Sequence, residues 1–269
     1  MDQLTTANAD ALTKNVWNRL QIEAREQAGN EQVLSSLLHA KIITQETFCR
    51  ALASHLAEIL EAKDLTAIHL RKMVLDIYRS KQGLIDAATQ DLQAVFERDP
   101  ACVSYVQCFL YFKGFAVLQI HRVAHELLRN NRDMLAYYMQ SRMSELFGVD
   151  INPAAKIGAG IMLDHATGIV VGETAVIGDG CSILHGVTLG GTGKQHADRH
   201  PKIGKNVLIG AGAKILGNIK IGDGARIAAG SVVLKPVGAH CTVAGVPAKV
   251  VGGPCCENPA AEMDQILDA

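Results

Sequence analysis

An acid and an imidazole stand side by side at Asp164 and His165, inside "LDHATGIVVGETAVIG" (163–178), a stretch otherwise made almost wholly of aliphatic and small residues. Imidazole titrates near neutrality, so it can take a proton from a hydroxyl during a reaction and give it back. A histidine packed at a turn is the plainer reading, and residue type alone leaves both open. A second polar cluster, "GGTGKQHADRHP" (190–201), is Gly-rich and ends in proline. That composition marks a loop, and loops raised on a rigid scaffold are where function tends to sit.

The elements that must position these residues follow from the period. From Ile151 the chain reads in sixes: "INPAAK", "IGAGIM", "LDHATG", then "VGETAV", "IGDGCS", "ILHGVT" and, after the polar cluster, "IGKNVL", "IGAGAK", "ILGNIK", "IGDGAR", "IAAGSV", "VLKPVG". Each block opens on Ile, Leu or Val, the signature of a parallel β-helix in which stacked coils share one aliphatic core. The register slips twice. Leu163 to Val171 is two residues longer than a block, and Leu189 to Ile203 is two longer than a pair of blocks. The second excess predicts a loop leaving the prism.

Before Ile151 the period is helical. "TQETFCRALASHLAEIL" places Phe48, Leu52, Leu56, Ile59 and Leu60 on one face, and "SYVQCFLYFKGFAVLQIHRVAHELLRN" reads as one longer, more buried helix. Asp10, Thr44 and Asp64 stand where N-caps belong, and Asp99 before Pro100 has the same form. The fold class is thus α+β: a helical domain over 1–147, a prism of hexapeptide repeats over 148–253, and a flexible tail over 254–269.

Composition narrows the partners. Hydrophobic residues make up 48% and charged residues 20% of the 269, which is globular. The 26 basic against 27 acidic residues leave no electrostatic footprint for nucleic acid or an anionic membrane. The longest apolar region, "VSYVQCFLYFKGFAVLQI", is broken by Gln107, Lys113 and Gln119 and reads as a buried helix. No secretory signal is visible at the N-terminus, and the odd number of cysteines, Cys49, Cys102, Cys108, Cys181, Cys241, Cys255 and Cys256, forms no CxxC. Both point to reduced thiols and a cytoplasmic protein.

The motifs "VDINPAAKIGAGIMLDHATGIVVGETAVIG", "VTLGGTGK", "DRHPKIG", "GAGAKILGN" and "AGVPAKVVG", behind a helical half, resemble the serine O-acetyltransferases. The resemblance covers most of the chain, to about residue 253. It implies a left-handed β-helix, acetyl-CoA as donor, L-serine as acceptor, a homohexamer built as a dimer of trimers, and feedback inhibition by L-cysteine. It also implies roles. His165 is the catalytic base and Asp150 its partner carboxylate. Asp99 and Asp164 hold the substrate ammonium, Arg199 its carboxylate, and His200 is both substrate-binding and catalytic, contacting the substrate and its reacting oxygen. Gly191, Thr192, Ala211 and Ala229 lie near the thioester arm of acetyl-CoA. No metal is implied.

Rival readings share the prism. A hexapeptide acetyltransferase acting on another hydroxyl acceptor would use the same donor and base. A zinc carbonic anhydrase of β-helix type would use three histidines, for which His165, His196 and His200 are superficially spaced, although Asp164 and Arg199 suit an amino acid better than bicarbonate. His121 and His125 lie one helical turn apart but lack the HExxH pattern of a zinc site. His185 reads as structural or at a subunit seam. The family binds O-acetylserine sulfhydrylase through a C-terminal isoleucine, and Ala269 at that position puts such a complex in doubt.

Overall fold

The computed structural model describes residues 3–193, 197–253 and 256–266; His196 and Ala269 lie outside them. Helices α1 (Gln3–Asn30) and α2 (Gln32–Leu38) lead through a π-helical turn (His39–Ile43) to α3 (Phe48–Leu60), α4 (Ala67–Ser80), α5 (Gln82–Arg98), α6 (Tyr105–Tyr111), α7 (Lys113–Arg129) and α8 (Asp133–Phe147). The apolar face of α3 is buried at Phe48, Leu52, Leu56 and Leu60. It packs on Phe109, whose ring lies 6.1 Å from Phe48 and 6.3 Å from Phe115.

Two local expectations are corrected. The long helix over 104–130 is two helices, because Phe112 is extended (φ −84°, ψ 104°) and breaks the ladder between α6 and α7. The caps also fall elsewhere. Thr47 accepts from the Arg50 N–H and Ser104 from that of Gln107, whereas Asp10 lies inside α1 and Thr44 follows the π-helical turn. Asp99 ends α5 rather than starting a helix. Its Oδ1 accepts from the Ala101 N–H at 2.8 Å, an Asx turn, and Pro100 disfavours helical backbone at the residue before it.

From Asp150 the chain winds a left-handed parallel β-helix with three faces. The first face stacks β1 (Asp150–Ile151), β4 (Val170–Val171), β7 (Thr188–Gly190), β10 (Lys214–Leu216) and β13 (Val232–Val233). The second stacks β2 (Lys156–Ile157), β5 (Val176–Ile177), β8 (Lys202–Ile203) and β11 (Lys220–Ile221). The third stacks β3 (Met162–Leu163), β6 (Ser182–Ile183), β9 (Leu208–Ile209), β12 (Arg226–Ile227) and β14 (Thr242–Gly245), closed by the antiparallel β15 (Ala248–Gly252). The block-opening aliphatics pair in register, as in Ile151–Val171–Leu189–Ile215–Val233, and each is buried. Full burial of one such side chain contributes about 1.5–3 kcal/mol, which no coil could gain alone.

A buried ion pair joins the two halves. Arg122 Nη2 lies 2.7 Å from Asp91 Oδ2 and donates to the Gly158 carbonyl at 2.6 Å, while the Ile161 N–H donates to Asp91 Oδ1 at 2.9 Å. The expected free tail is partly seated: α9 (Pro259–Glu262) buries Ala260, whose carbonyl accepts from the buried Ser182 hydroxyl at 2.7 Å. Arg226 reaches the Ile266 carbonyl at 3.1 Å.

Candidate active site

The prism displays most of the sequence-predicted site residues on two of its edges, while Asp150 lies in β1 on the first face and Asp99 at the end of α5. The first edge separates the third face from the first and carries Asp164 and His165 between β3 and β4. Met162 pairs with Ser182, Ser182 with Leu208 and Leu208 with Arg226, so three residues onward His165, His185, Ala211 and Ala229 form one column. Adjacent coils rise by about 4.8 Å, and the His165 and His185 rings sit 5.9 Å apart. The second edge separates the first face from the second. There the chain leaves β7 through Gly191 and Thr192 and returns through Arg199 and His200 to β8. Within one chain the structure therefore does not bring Arg199, His200, Gly191 and Thr192 to His165; the first face lies between them.

What it does bring together is a cavity of about 340 Å³ at the first edge, where the helical domain meets the prism. Asp99, Gln107, Tyr111, Lys113, Asp164 and His165 supply its polar lining, and Val95, Met162 and Leu163 its apolar wall. Asp99 and Asp164 are half-buried and His165 is exposed. Two carboxylates can hold an ammonium, and an imidazole at the mouth can reach an approaching hydroxyl.

The turn that offers this imidazole is strained. His165 (φ 53°) and Ala166 (φ 58°) are both in the left-handed region, which costs L-residues roughly 1–2 kcal/mol each. The first turn of α7 seats against it. A Cβ on Gly114 would lie 2.0 Å from the Leu163 carbonyl oxygen, so only glycine lets the helix approach. Lys113 then reaches the Thr167 hydroxyl across the turn.

Asp150 is not hydrogen-bonded to His165. β1 pairs Asp150 with Val170, beyond the turn, and its Oδ1 accepts from Gln140 Nε2 of α8 at 2.7 Å. The carboxylate within 4 Å of the imidazole is that of Asp164, with Oδ1 3.9 Å from Nε2.

At the second edge Arg199 Nη2 donates to Glu173 Oε2 at 2.7 Å. His200 is buried with its Nδ1 3.1 Å from the Thr174 backbone N and 2.8 Å from the Thr174 hydroxyl. Burial, then the neighbouring Arg199 charge, holds its pKa below the usual imidazole value. Thr192 lies over Gly217, where its Oγ1 would be 3.4 Å from a Cβ.

Sequence reasoning missed Gln107, Lys113, Gly114, Gln140 and Thr174. Only the lone Gly114 inside an apolar helical pattern carried a signal, that of a close backbone approach. His121 is buried beside His125, whose Nδ1 lies 2.7 Å from the Pro153 carbonyl. Among the described residues no group of three or more His, Cys, Asp or Glu side chains could hold a metal.

Comparison with known proteins places this geometry. Residues 16–120 match the family model "Serine acetyltransferase, N-terminal" and residues 200–235 match "Bacterial transferase hexapeptide (six repeats)". The chain is 53% identical to the serine acetyltransferase of Escherichia coli K12 over 250 residues, 93% of this chain and 92% of that one. Among solved structures, a serine acetyltransferase in complex with cysteine superposes with a TM-score of 0.93 at 49% identity, covering 95% of this chain and 99% of that one. A soybean serine acetyltransferase complexed with serine gives 0.87 at 52% identity, covering 89% and 99%. One from Brucella abortus in complex with coenzyme A gives 0.88 at 50% identity, covering 90% and 97%.

Proposed function

We infer the reaction from the membership that these matches establish: the chain belongs to the serine acetyltransferase family. It transfers the acetyl group of acetyl-CoA to the hydroxyl of L-serine, giving O-acetyl-L-serine and CoA. The observation on its own residues that carries this reading is the first-edge cavity, where Asp99, Asp164 and the His165 imidazole line one space.

The division of labour follows from the substrate's charges. Serine brings an ammonium and a carboxylate, and taking either from water requires an opposite charge nearby. Asp99 and Asp164 receive the ammonium. Arg199 receives the carboxylate with two parallel N–H donors. His165 takes the hydroxyl proton as the oxygen attacks the thioester carbon, and protonates the departing thiolate. A positioned base of this kind is worth roughly 10²–10⁴ in rate. Asp150 is the carboxylate that orients the ring, a role that requires it to exchange Gln140 for the imidazole nitrogen.

Acetyl-CoA runs along an edge rather than through the prism. Ala211 and Ala229 continue the column above His165, and Gly191 with Thr192 flank Arg199 and His200; their small side chains leave main-chain groups open to a pantetheine arm. Because one chain holds the two sets on different edges, we assign the complete site to neighbouring copies in a trimer, the first edge of one facing the second edge of the next. Two such trimers make the hexamer.

L-cysteine differs from serine by sulfur for oxygen, and a relative has been solved with cysteine bound. The same cavity therefore accepts L-cysteine, and inhibition is relieved by saturating serine. The Cys49, Cys102, Cys108, Cys181 and Cys241 thiols and the lack of a membrane-crossing helix among the described residues support a cytoplasmic site of action. The test is release of CoA thiol from acetyl-CoA with L-serine, compared with galactosides and amino alcohols. Turnover confined to serine supports the reading, and faster turnover with a sugar acceptor overturns it.

A further inference from the structure

The corner between β4 and β5 holds a side chain that organises both substrate residues of the second edge. Thr174 Oγ1 accepts from the backbone N–H groups of Arg199 at 3.1 Å and His200 at 3.2 Å. With its lone pairs engaged, the hydroxyl hydrogen has two acceptors to serve, His200 Nδ1 at 2.8 Å and the Asp198 carboxylate, to which the Thr174 side chain also hydrogen-bonds. The Thr174 backbone N–H donates to the same Nδ1 at 3.1 Å. A backbone N–H has only one way to bond, so the nitrogen it meets cannot itself carry a proton. In the neutral ring the proton therefore stands on Nε2.

Two glycines make room for that side of the ring. A Cβ on Gly172 would fall 2.1 Å from His200 Nε2, and one on Gly191 would fall 3.3 Å from it. The charged groups around the imidazole are Arg199 and Lys202 against Glu173 and Asp198, so opposite signs are both present and burial of the ring favours its neutral form.

We propose that Thr174 is a positioning residue that fixes His200 as a neutral Nε2–H donor, and that His200 serves the transfer by hydrogen-bonding a substrate oxygen rather than by taking a proton. The inference rests on the acetyl transfer proposed above. It gives the two site histidines opposite duties: His165, exposed on a strained turn, accepts a proton, and His200, clamped through Nδ1, only donates a hydrogen bond.

The test compares amides that mimic one ring nitrogen or the other. The side-chain amide nitrogen of glutamine reaches the place of Nε2, and that of asparagine the place of Nδ1. His200→Gln is expected to keep kcat/KM for serine within about tenfold of the parent, and His200→Asn to fall by about 10²–10³, the loss seen when one donor to a reacting oxygen is removed. The acid limb of the pH–rate profile stays in place in His200→Gln. Thr174→Val lowers kcat/KM about tenfold, and Thr174→Ser, which keeps the hydroxyl, restores most of it. Circular dichroism and sedimentation confirm fold and assembly for each variant. An Asn variant as active as the Gln variant, an acid limb lost with His200, or a Thr174→Val enzyme equal to the parent would each overturn the proposal. Absence of serine acetylation by the parent would instead sink the underlying reading.

Discussion

At the scale of single residues, the site is held by backbone that other residues must enforce. His165 and Ala166 keep positive φ while Ala166 is fully buried, and the first turn of α7 closes over them without a side chain at Gly114. Gly114→Ala puts a methyl 2.0 Å from the Leu163 carbonyl, so the turn must shift; kcat is expected to fall by at least about tenfold with a smaller change in Tm, since displacement of about 1 Å can cost 10²-fold. Steady-state kinetics beside thermal melts check this. Two buried histidines predict a pH dependence. Burial lowers the His121 pKa to about 3 and that of His55 to about 4, each below its unfolded value of about 6.5. Their contribution is therefore fully present above pH 6.5 and is lost as pH falls toward 4 and 3, where the unfolded chain binds protons that the folded one refuses. His55 stacks on Phe109 at 5.1 Å, so His55→Phe keeps a ring there. It should flatten the acid side of a stability–pH curve by up to about 1.4 kcal/mol per pH unit; an unchanged slope refutes the assignment.

At the scale of elements, the prism was legible because its rule is local. An aliphatic at every sixth residue points inward whatever else the chain does, and the register slips after Leu163 and Leu189 marked the two turns that carry Asp164–His165 and Arg199–His200. The helical half was legible only in type. Nothing local announces that Phe112 turns extended, since apolar residues at helical spacing continue on both sides of it. Asp91 and Arg122, 31 residues apart, meet only because α5 and α7 both dock on the 157–161 backbone. Asp150's hydrogen bond to Gln140 was hidden for the same reason, because it forms only where α8, which carries Gln140, packs back against β1. The Asp91–Arg122 join makes a prediction of its own. Asp91→Ala leaves a guanidinium buried without its partner and should cost about 3–5 kcal/mol. Denaturant unfolding measures it, and a loss under about 1 kcal/mol would show that the halves are held by apolar packing alone.

At the scale of the whole molecule, the β-helix acts as a ruler that sets two half-sites on two edges. One edge carries Asp164 and His165 and the other Arg199 and His200, and the trimer proposed above would set these edges of neighbouring copies against each other. The most direct test is complementation between His165→Ala and Arg199→Ala chains, each defective alone. The first should lose about 10²–10⁴ in kcat, the worth of a positioned base. Co-refolded in equal amounts, they should regain up to about a quarter of parental activity, the fraction of random neighbour pairs with both intact edges at one seam. A His165→Ala enzyme that turns over serine like the parent, or a mixture no more active than the sum of its parts, would contradict the account.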